Sequence, residues 1–179
     1  GGEIGVLGIG LNTIDLLSTE GGRTVERFTA ASQLGVRRLL ELCNREGLYT
    51  VAEMDHRLRT GQIDTSKALP LWADEVKAFI DREWGTAWRR FGVVVCVGGG
   101  AVLINKVLAA KFGPAFTSPE EAVLSTARGL YKFGRMKKMG RDLLAFDAGY
   151  GSIKVYGQAG AVIMPSAVSL DGRAALGPV

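Results

Sequence analysis

Short apolar runs separated by glycine open the chain. Glu3–Ile9 is followed by Ile14–Ser18 and Thr24–Phe28, and Glu20-Gly21-Gly22-Arg23 lies between the last two. A Gly-Gly pair between two apolar runs of strand length is typical of a β-hairpin. The pattern therefore predicts three short strands.

The spacing changes to a helical period after residue 32. Val36, Leu39, Leu40 and Cys43 recur at i, i+3, i+4 and i+7, which predicts a helix over 32–48. The polar segment 49–65 is interpreted as small helices or loop. A second helix is predicted over 66–90, and its apolar stripe is a buried face rather than a ligand box. The stripe consists of Trp72, Val76, Phe79, Ile80, Trp84 and Trp88.

A continuous apolar run, Phe91–Val97, predicts a central strand buried on both faces. Gly98-Gly99-Gly100 ends it, and 101–111 is predicted to be helical. Ser118-Pro119-Glu120-Glu121 has the residue types that start a helix, with Ser as the N-cap. The inner face of that helix is predicted to consist of Ala122, Val123, Thr126, Leu130 and Phe133.

Strand patterns return near the C-terminal end. Leu143–Asp147, Ser152–Gly157 and Ala161–Pro165 predict three antiparallel strands without helices on both faces. Such a meander buries little by itself. We expect it to pack on residues 1–139 or on another copy of the chain, and its open edges favour a strand-exchanged dimer.

Composition narrows the class of protein. The chain has 179 residues, 47% hydrophobic and 22% charged, as in globular proteins. No apolar run reaches the ~18–20 residues of a membrane span, no secretory signal opens the chain, and no CxxC or second histidine suggests a zinc site. A cytoplasmic protein without membrane contact is expected. A basic series is interpreted as a solvated helix face rather than a nucleic-acid patch; it comprises Arg128, Lys132, Arg135, Lys137, Lys138 and Arg141.

Two hairpins share one local pattern. In each, an apolar strand runs into a small-x-Gly turn, a hydroxyl residue follows three positions later, and an apolar strand returns. The two turns end at Gly10 and Gly149, and the hydroxyl residues are Thr13 and Ser152. Tight turns of this kind aim backbone N–H groups at one point and so form an anion cradle. The third such element is the glycine loop at 98–100 before a predicted helix, which differs from a P-loop because it lacks GxxxxGK[ST].

Together these elements resemble the actin/Hsp70/sugar-kinase superfamily, and within it the actin-like proteins related to ParM. The first phosphate motif of that family is matched by Asp147, Gly149, Lys154 and Pro165-Ser166, and the second is matched by Gly8, Gly10, Thr13 and Asp15. The adenosine loop is matched by Gly98 to Ala101. The closing helix is matched by Ala127-Arg128-Gly129-Leu130-Tyr131-Lys132. The implied fold is α/β and ribonuclease H-like, a mixed sheet flanked by helices. A three-stranded hairpin unit from the other actin-like domain is added to it. The implied domains are 1–138 and 139–179.

The resemblance also implies an ATP site with Mg²⁺. Asp147 would serve catalysis and the metal through water. The implied nucleotide contacts are Gly10, Leu11, Asn12, Thr13 and Asp15, then Gly98, Gly99, Gly100 and Ala101, then Gly149, Tyr150, Gly151, Ser152 and Lys154. Hydrolysis would need only positioned water and electrostatics.

The chain departs from the family pattern in two ways. The family's opening motif follows its closing helix, and Met139-Gly140-Arg141-Asp142 resembles a natural start. About half of an actin-like chain is absent. A circularly permuted or shortened chain, engineered or natural, would explain both. Separately, Gly8 stands where the family has its second acidic residue, so at most weak ATPase activity is expected.

Three functions follow from these observations. The leading hypothesis is an ATP-binding, filament-forming protein of the DNA-segregation type, self-associating and with an adaptor as a further partner. The alternative is a structural module that keeps the actin-like core without useful ATP binding. A small-molecule kinase ranks last, because the first domain that would hold its catalytic base is mostly missing.

Overall fold

The computed structural model describes residues 2–137, 143–149 and 152–165. The chain packs as two units, Gly1–Val123 and Leu124–Val179. The division into domains expected at residues 138 and 139 stays a prediction.

The first unit is built on a mixed sheet. Its strands are β1 (Glu3–Ile9), β2 (Ile14–Glu20), β3 (Arg23–Thr24), β4 (Ala30–Ser32), β5 (Phe91–Val97) and β6 (Phe116–Thr117). Their order is β3-β2-β1-β5-β6, and β4 also pairs with β2. β1 is antiparallel to β2 and parallel to β5, which is parallel to β6. The α/β class and the mixed sheet are confirmed, with β5 in the interior of the sheet.

One predicted strand is wrong. Thr24–Phe28 is not extended; β3 ends at Thr24, and Glu26–Phe28 forms a 3-10 turn. The reason is tertiary: the indole Nε1 of Trp84 donates to the carbonyl oxygen of Phe28 at 3.0 Å. That carbonyl therefore accepts a hydrogen bond from a side chain of a helix rather than from the backbone of a neighbouring strand.

Four helices complete the first unit: α1 (Val36–Cys43), α2 (Val51–Arg59), α3 (Ala68–Trp84) and α4 (Ala101–Phe112). The helix predicted over 32–48 is shorter at both ends. It begins after Gly35 and ends before Asn44, whose amide Nδ2 donates to the carbonyl of Tyr49 at 2.7 Å in a turn. α2 confirms the small helix expected within 49–65, and it starts with a capping box between Thr50 and Glu53.

The apolar stripe of α3 is core, as predicted. Trp72, Val76, Phe79, Ile80 and Trp84 are buried, whereas Trp88 lies beyond the helix and is half-buried. The expectation that β5 is buried on both faces is wrong. Phe91, Val94 and Cys96 are buried, while the intervening residues are partly exposed. The sheet therefore has one face against the core and one more open face.

The second unit contains α5 (Ser125–Met136) and the strands β7 (Leu144–Ala148), β8 (Ser152–Gly157) and β9 (Gly160–Pro165). The order is β7-β8-β9 and all pairs are antiparallel. The predicted three-stranded unit is confirmed. α5 packs on one face of it, where the rings of Tyr131 and Tyr156 lie 5.4 Å apart.

Two details of α5 differ from prediction. It begins at Ser125 rather than near residue 119, because the hydroxyl of Ser118 donates to the carbonyl of Cys96 at 3.1 Å instead of capping a helix. Leu130 and Phe133 are exposed, at 49% and 55%. The buried positions are the small residues Ala127 and Gly134, which allow close contact with the sheet unit. Within the described part of the chain, no helix has the length and apolar content to cross a membrane.

Candidate phosphate-binding site

The loop between β1 and β2 leaves backbone donors available. Pairing of the two strands ends at Ile9 and Ile14, and the N–H of Gly10 donates to the carbonyl of Thr13 at 2.9 Å. Among the described residues, the N–H groups of Leu11, Asn12 and Thr13 donate to no acceptor. Three successive amides of this kind form a cradle for an anion.

The carbonyl groups of the same loop are taken by the start of α1. Val36 N–H donates to Gly10 O at 3.0 Å, Arg37 N–H to Leu11 O at 2.7 Å, and Gly35 N–H to Asn12 O at 3.2 Å. A Cβ on Gly35 would collide with the carbonyl of Leu11. The N-terminal donors of α1 are thereby satisfied by the loop, which fixes the loop with its amides unengaged.

The glycine loop at 98–100 lies against the end of β1. Gly100 N–H donates to Ile9 O at 3.0 Å. Gly98 has φ +94°, and a Cβ there would collide with that same carbonyl of Ile9. Gly99 has open space around it, and Ala101 begins α4, whose N-cap has no side-chain hydrogen bond. Position 98 must be glycine for the loop to approach the end of β1 this closely.

These two loops occupy one edge of the sheet. β1 and β5 are parallel neighbours, so the loop after Ile9 and the loop after Val97 both follow carboxyl ends. In open α/β sheets, ligands bind outside the carboxyl ends of the strands. The positive end of the α4 dipole is at the same edge. The predicted contacts at 10–13 and 98–101 are thus brought together.

Side chains at this edge add polar groups. The hydroxyl of Thr13 donates to Oδ2 of Asp15 at 3.2 Å, and Asp15 is exposed. The amide Oδ1 of Asn12 is buried and has no hydrogen-bond partner in the described structure. A buried amide oxygen without a hydrogen-bond partner lowers the stability of the folded chain. Rotating the side-chain amide of Asn12 by about 180° would place its NH₂ group, with two N–H donors, at this position.

The hairpin of the second unit gathers a second polar cluster. Asp147 and Lys154 are cross-strand partners in β7 and β8, and Lys154 Nζ lies 3.2 Å from Asp147 Oδ2. Gly149 N–H donates to the carbonyls of Asp147 at 3.2 Å and Ser152 at 3.1 Å. A Cβ on Gly149 would lie 2.7 Å from Lys154 Nζ. Four of the predicted residues therefore cluster here, whereas Tyr150, Gly151 and Ser166 lie outside the described residues.

The sequence analysis missed the part played by Gly35 and the start of α1. Gly35 comes directly before the helical pattern that begins at Val36, and a glycine in that place is the only local signal. The contact it makes with Leu11 spans a strand and a turn, so no spacing rule would have revealed it.

The fold is similar to several solved structures. An archaeal actin homologue in complex with ADP is 17% identical, covering 78% of this chain and 50% of that one, with a TM-score of 0.64. ParM from Clostridium botulinum in a 15-stranded filament is 16% identical, covering 75% and 46%, with a TM-score of 0.64. A Bacillus thuringiensis ParM hybrid protein with ADP, which contains two ParM mutants, is 14% identical, covering 92% and 29%, with a TM-score of 0.57.

The chain has the actin-like fold. It spans half or less of the length of each of these structures. No family model matches the sequence, and no curated protein sequence matches it. The actin-like fold explains the order of elements in the first unit and the place of its two glycine-containing loops at one sheet edge.

Proposed function

We propose that the first unit is the nucleotide-binding half of an actin-like, filament-forming protein, and that its loops at 10–13 and 98–101 hold ATP. The observation that carries the proposal is the pairing of the two loops. Both follow the carboxyl ends of neighbouring parallel strands. Among the described residues, the first loop presents the N–H groups of Leu11, Asn12 and Thr13 without acceptors, and the second presents that of Gly99. An archaeal homologue of this fold holds ADP, which supports the choice of ligand.

The loop at 10–13 would bind phosphate through its backbone. The amides of Leu11, Asn12 and Thr13 suit phosphate oxygens, and charge-assisted hydrogen bonds of this kind are the strong ones. The open space around Gly99 would admit a flat nucleoside against the glycine loop. The start of α4 would favour negative charge nearby.

Mg²⁺ would be held by few protein groups. Protein-bound Mg²⁺ is coordinated by one or two carboxylates and by substrate phosphates, and it keeps several water ligands. The single carboxylate of Asp15, beside the phosphate loop, is therefore enough to serve as the protein ligand. Bound Mg²⁺ would neutralise charge on the phosphates. Gly8 supplies no carboxylate to order an attacking water, and we therefore propose binding with at most weak hydrolysis.

The second hairpin has the groups of the other phosphate contact of an actin-like site. Asp147 would act on metal-bound water, and Lys154 would neutralise phosphate together with the backbone N–H groups of Gly149, Tyr150, Gly151 and Ser152. The Lys154–Asp147 ion pair is largely shielded, with side-chain exposures of 14% and 22%. Phosphate would compete with Asp147 for the ammonium group.

Assembly is the second part of the proposal. ParM from Clostridium botulinum forms a filament, and we extend self-association to this protein, with cytoplasmic DNA segregation through an adaptor as its use. The competing function is a structural module without useful ATP binding, which is favoured by Gly8 at the position where the resemblance expects an acidic residue.

Calorimetric titration of the chain with ATP and ADP, with and without Mg²⁺, tests the proposal. Thr13→Val and Gly99→Ala should each lower the affinity. Loss of a hydroxyl contact to phosphate in Thr13→Val should lower it by roughly ten- to a hundredfold, since hydrogen bonds to charged groups contribute about 1.5–3 kcal/mol. Thr19→Val is the matched control, because Thr19 is a half-buried residue at the other end of β2. Absence of binding would favour the structural module. Light scattering with nucleotide reports assembly, and phosphate release reports hydrolysis.

A further inference from the structure

Three arginines of the first unit surround one concavity of its surface. The concavity has a volume of about 560 Å³, and its lining consists of Arg27, Phe28, Thr86, Ala87, Arg89 and Arg90. The three arginines are exposed. The two segments that supply this lining, 27–28 and 86–90, are far apart in the sequence. We call this feature the arginine concavity.

Aromatic residues of the core bring the two segments together. The ring of Phe28 lies 6.0 Å from that of Phe91, edge to face, and the carbonyl of Phe28 accepts the hydrogen bond from the indole of Trp84. Phe91 begins β5 directly after the 3-10 turn that carries Arg89 and Arg90. Trp84 and Phe91 are both buried, with their rings 5.1 Å apart. Packing of the core therefore fixes the place where the arginines meet.

Aromatic rings also position the guanidinium groups. The guanidinium carbon of Arg27 lies 4.5 Å from the ring centroid of Phe28, and that of Arg90 lies 5.6 Å from the same centroid. The guanidinium carbon of Arg89 lies 5.9 Å from the ring centroid of Trp88. Such cation–π contacts are attractive within about 6 Å, and they leave the N–H donors of arginine available to other acceptors. The ring of Phe28 is already engaged, so charge rather than apolar contact would select a ligand.

Carboxylates of the chain compensate only one of the three guanidinium charges. Arg90 Nη2 lies 3.3 Å from Oε2 of Glu3, and the other oxygen of Glu3 accepts a hydrogen bond from a serine hydroxyl. Within the part of the chain that the structure describes, Arg27 and Arg89 form no ion pair, not even with the exposed Glu26 next to Arg27. Two guanidinium charges of the arginine concavity are therefore uncompensated.

We propose that the arginine concavity binds the dianionic phosphate group of a phosphomonoester. Such a group carries about −1.5 to −2 charges at pH 7 and has three strong acceptor oxygens, which matches the two uncompensated charges. The planar donor fork of arginine fits phosphate and forms charge-assisted hydrogen bonds with it. A phosphodiester or a carboxylate has one negative charge and would leave one guanidinium group uncompensated.

The arginine concavity is separate from the candidate nucleotide site. Arg89 and Arg90 precede β5, whereas the glycine loop at 98–100 follows it. A strand of seven residues is about 20 Å long. The two places therefore lie at opposite ends of the same strand, and the proposal does not depend on ATP binding at the loops 10–13 and 98–101.

Methyl phosphate and dimethyl phosphate test the proposal on the unaltered chain, labelled with ¹⁵N for NMR spectroscopy. Methyl phosphate, a dianion, should shift the Nε–H resonances of Arg27, Arg89 and Arg90 and the indole resonance of Trp88. Dimethyl phosphate, a monoanion like the phosphodiester of nucleic acids, should bind about tenfold more weakly, because it forms fewer hydrogen bonds to charged groups. Absence of shifts at these side chains would overturn the site. Equal or tighter binding of dimethyl phosphate would overturn the assignment to a phosphomonoester.

Substitutions locate the binding. Arg27→Gln and Arg89→Gln should each weaken the binding of methyl phosphate by about tenfold, since each removes a charged donor. Arg59→Gln is the matched control, because Arg59 is an exposed arginine of α2. Equal losses in all three variants would show a response to net charge rather than a site. Thr13→Val, which tests the proposed nucleotide site, should leave the affinity for methyl phosphate unchanged. A loss there would show that the phosphate binds at the loop 10–13 instead.

Discussion

Gly8 lies directly opposite Asp15 in the antiparallel pairing of β1 and β2. A Cβ built on Gly8 would stand 3.8 Å from the Cβ of Asp15, an ordinary van der Waals contact. The position that lacks a carboxylate is thus next to one that has it, and the backbone has room for a side chain there.

Gly8→Asp should therefore fold and place two carboxylates side by side. Like charges directly opposite in a strand pair are destabilising, by about 0.2–1 kcal/mol. Thermal unfolding at pH 7 measures this loss, and added Mg²⁺ should restore stability by neutralising the two carboxylates. Equal stability of the variant and the parent at pH 7 would contradict the pairing.

Gly98→Ala should be strongly destabilising and Gly99→Ala nearly neutral. Gly98 has φ +94° and faces the carbonyl of Ile9, whereas Gly99 has negative φ and open space. Strained backbone of this kind costs about 1–3 kcal/mol, to which the collision with Ile9 adds. Urea unfolding gives both free energies. Comparable losses for the two variants would show that the loop is not held against β1 as described.

The ion pair between α1 and α3 predicts a dependence of stability on pH. Arg38 donates to both carboxylate oxygens of Glu75, at 2.8 Å and 2.7 Å, and this hydrogen bonding lowers the pKa of Glu75 below its usual range. The pKa of Glu75 is therefore lower in the folded chain than in the unfolded chain, where it is about 4.3, and the ion pair stabilises the folded state at pH values above about 4.3. This stabilisation is lost as the pH falls through the folded-state pKa of Glu75.

Both side chains of this pair are about one-third exposed, so the contribution is limited to about 0.5–1 kcal/mol. Glu75→Gln should cost that much at pH 7 and less at pH 3, measured by urea unfolding. Asp74→Asn, which breaks the more exposed pair with Lys77, is the control and should change little. An equal effect of Glu75→Gln at both pH values would argue that packing, rather than charge, is responsible.

The two thiols should differ in reactivity. Burial raises the pKa of Cys96 to about 12, so at pH 8 only about one thiol in ten thousand is ionised, and the thiolate is the reactive form. Cys43 is only partly buried. A chromogenic disulfide reagent should titrate one thiol per native chain and two after denaturation. Rapid reaction of both in the native chain would place Cys96 outside the core.

Several elements were predictable because local signals bounded them. Glu3–Ile9 and Phe91–Val97 match β1 and β5 at both ends, since each is a strand-length apolar run that stops at a glycine turn. The segment Thr24–Phe28 failed because the Trp84 indole takes the carbonyl of Phe28. That contact joins positions far apart in sequence, and no window of residues reveals it.

The same distinction holds at the candidate site. The glycines at 10 and 98 and the hydroxyl of Thr13 could be singled out from turn chemistry, because a close backbone approach requires glycine. The attachment of the loop to the start of α1 through Gly35 was not predictable, since it depends on how a helix packs against a hairpin.

The exposed face of β7–β9 predicts self-association of this chain. Phe146 and Val162 lie on a face of the sheet that has no charged residue, and edge strands with apolar side chains recruit neighbours. Val162→Lys should shift the chain toward monomer, because a charge on edge strand β9 opposes both stacking and strand pairing. Loss of one buried valine contact corresponds to about 1.5 kcal/mol or more, or roughly tenfold in the association constant.

Sedimentation velocity across a range of concentrations measures the association of the parent chain and of Val162→Lys. Val102→Lys is the matched control, since Val102 is 65% exposed on α4. A parent chain that stays monomeric at all concentrations, or an equal shift in both variants, would show that this sheet face does not drive association.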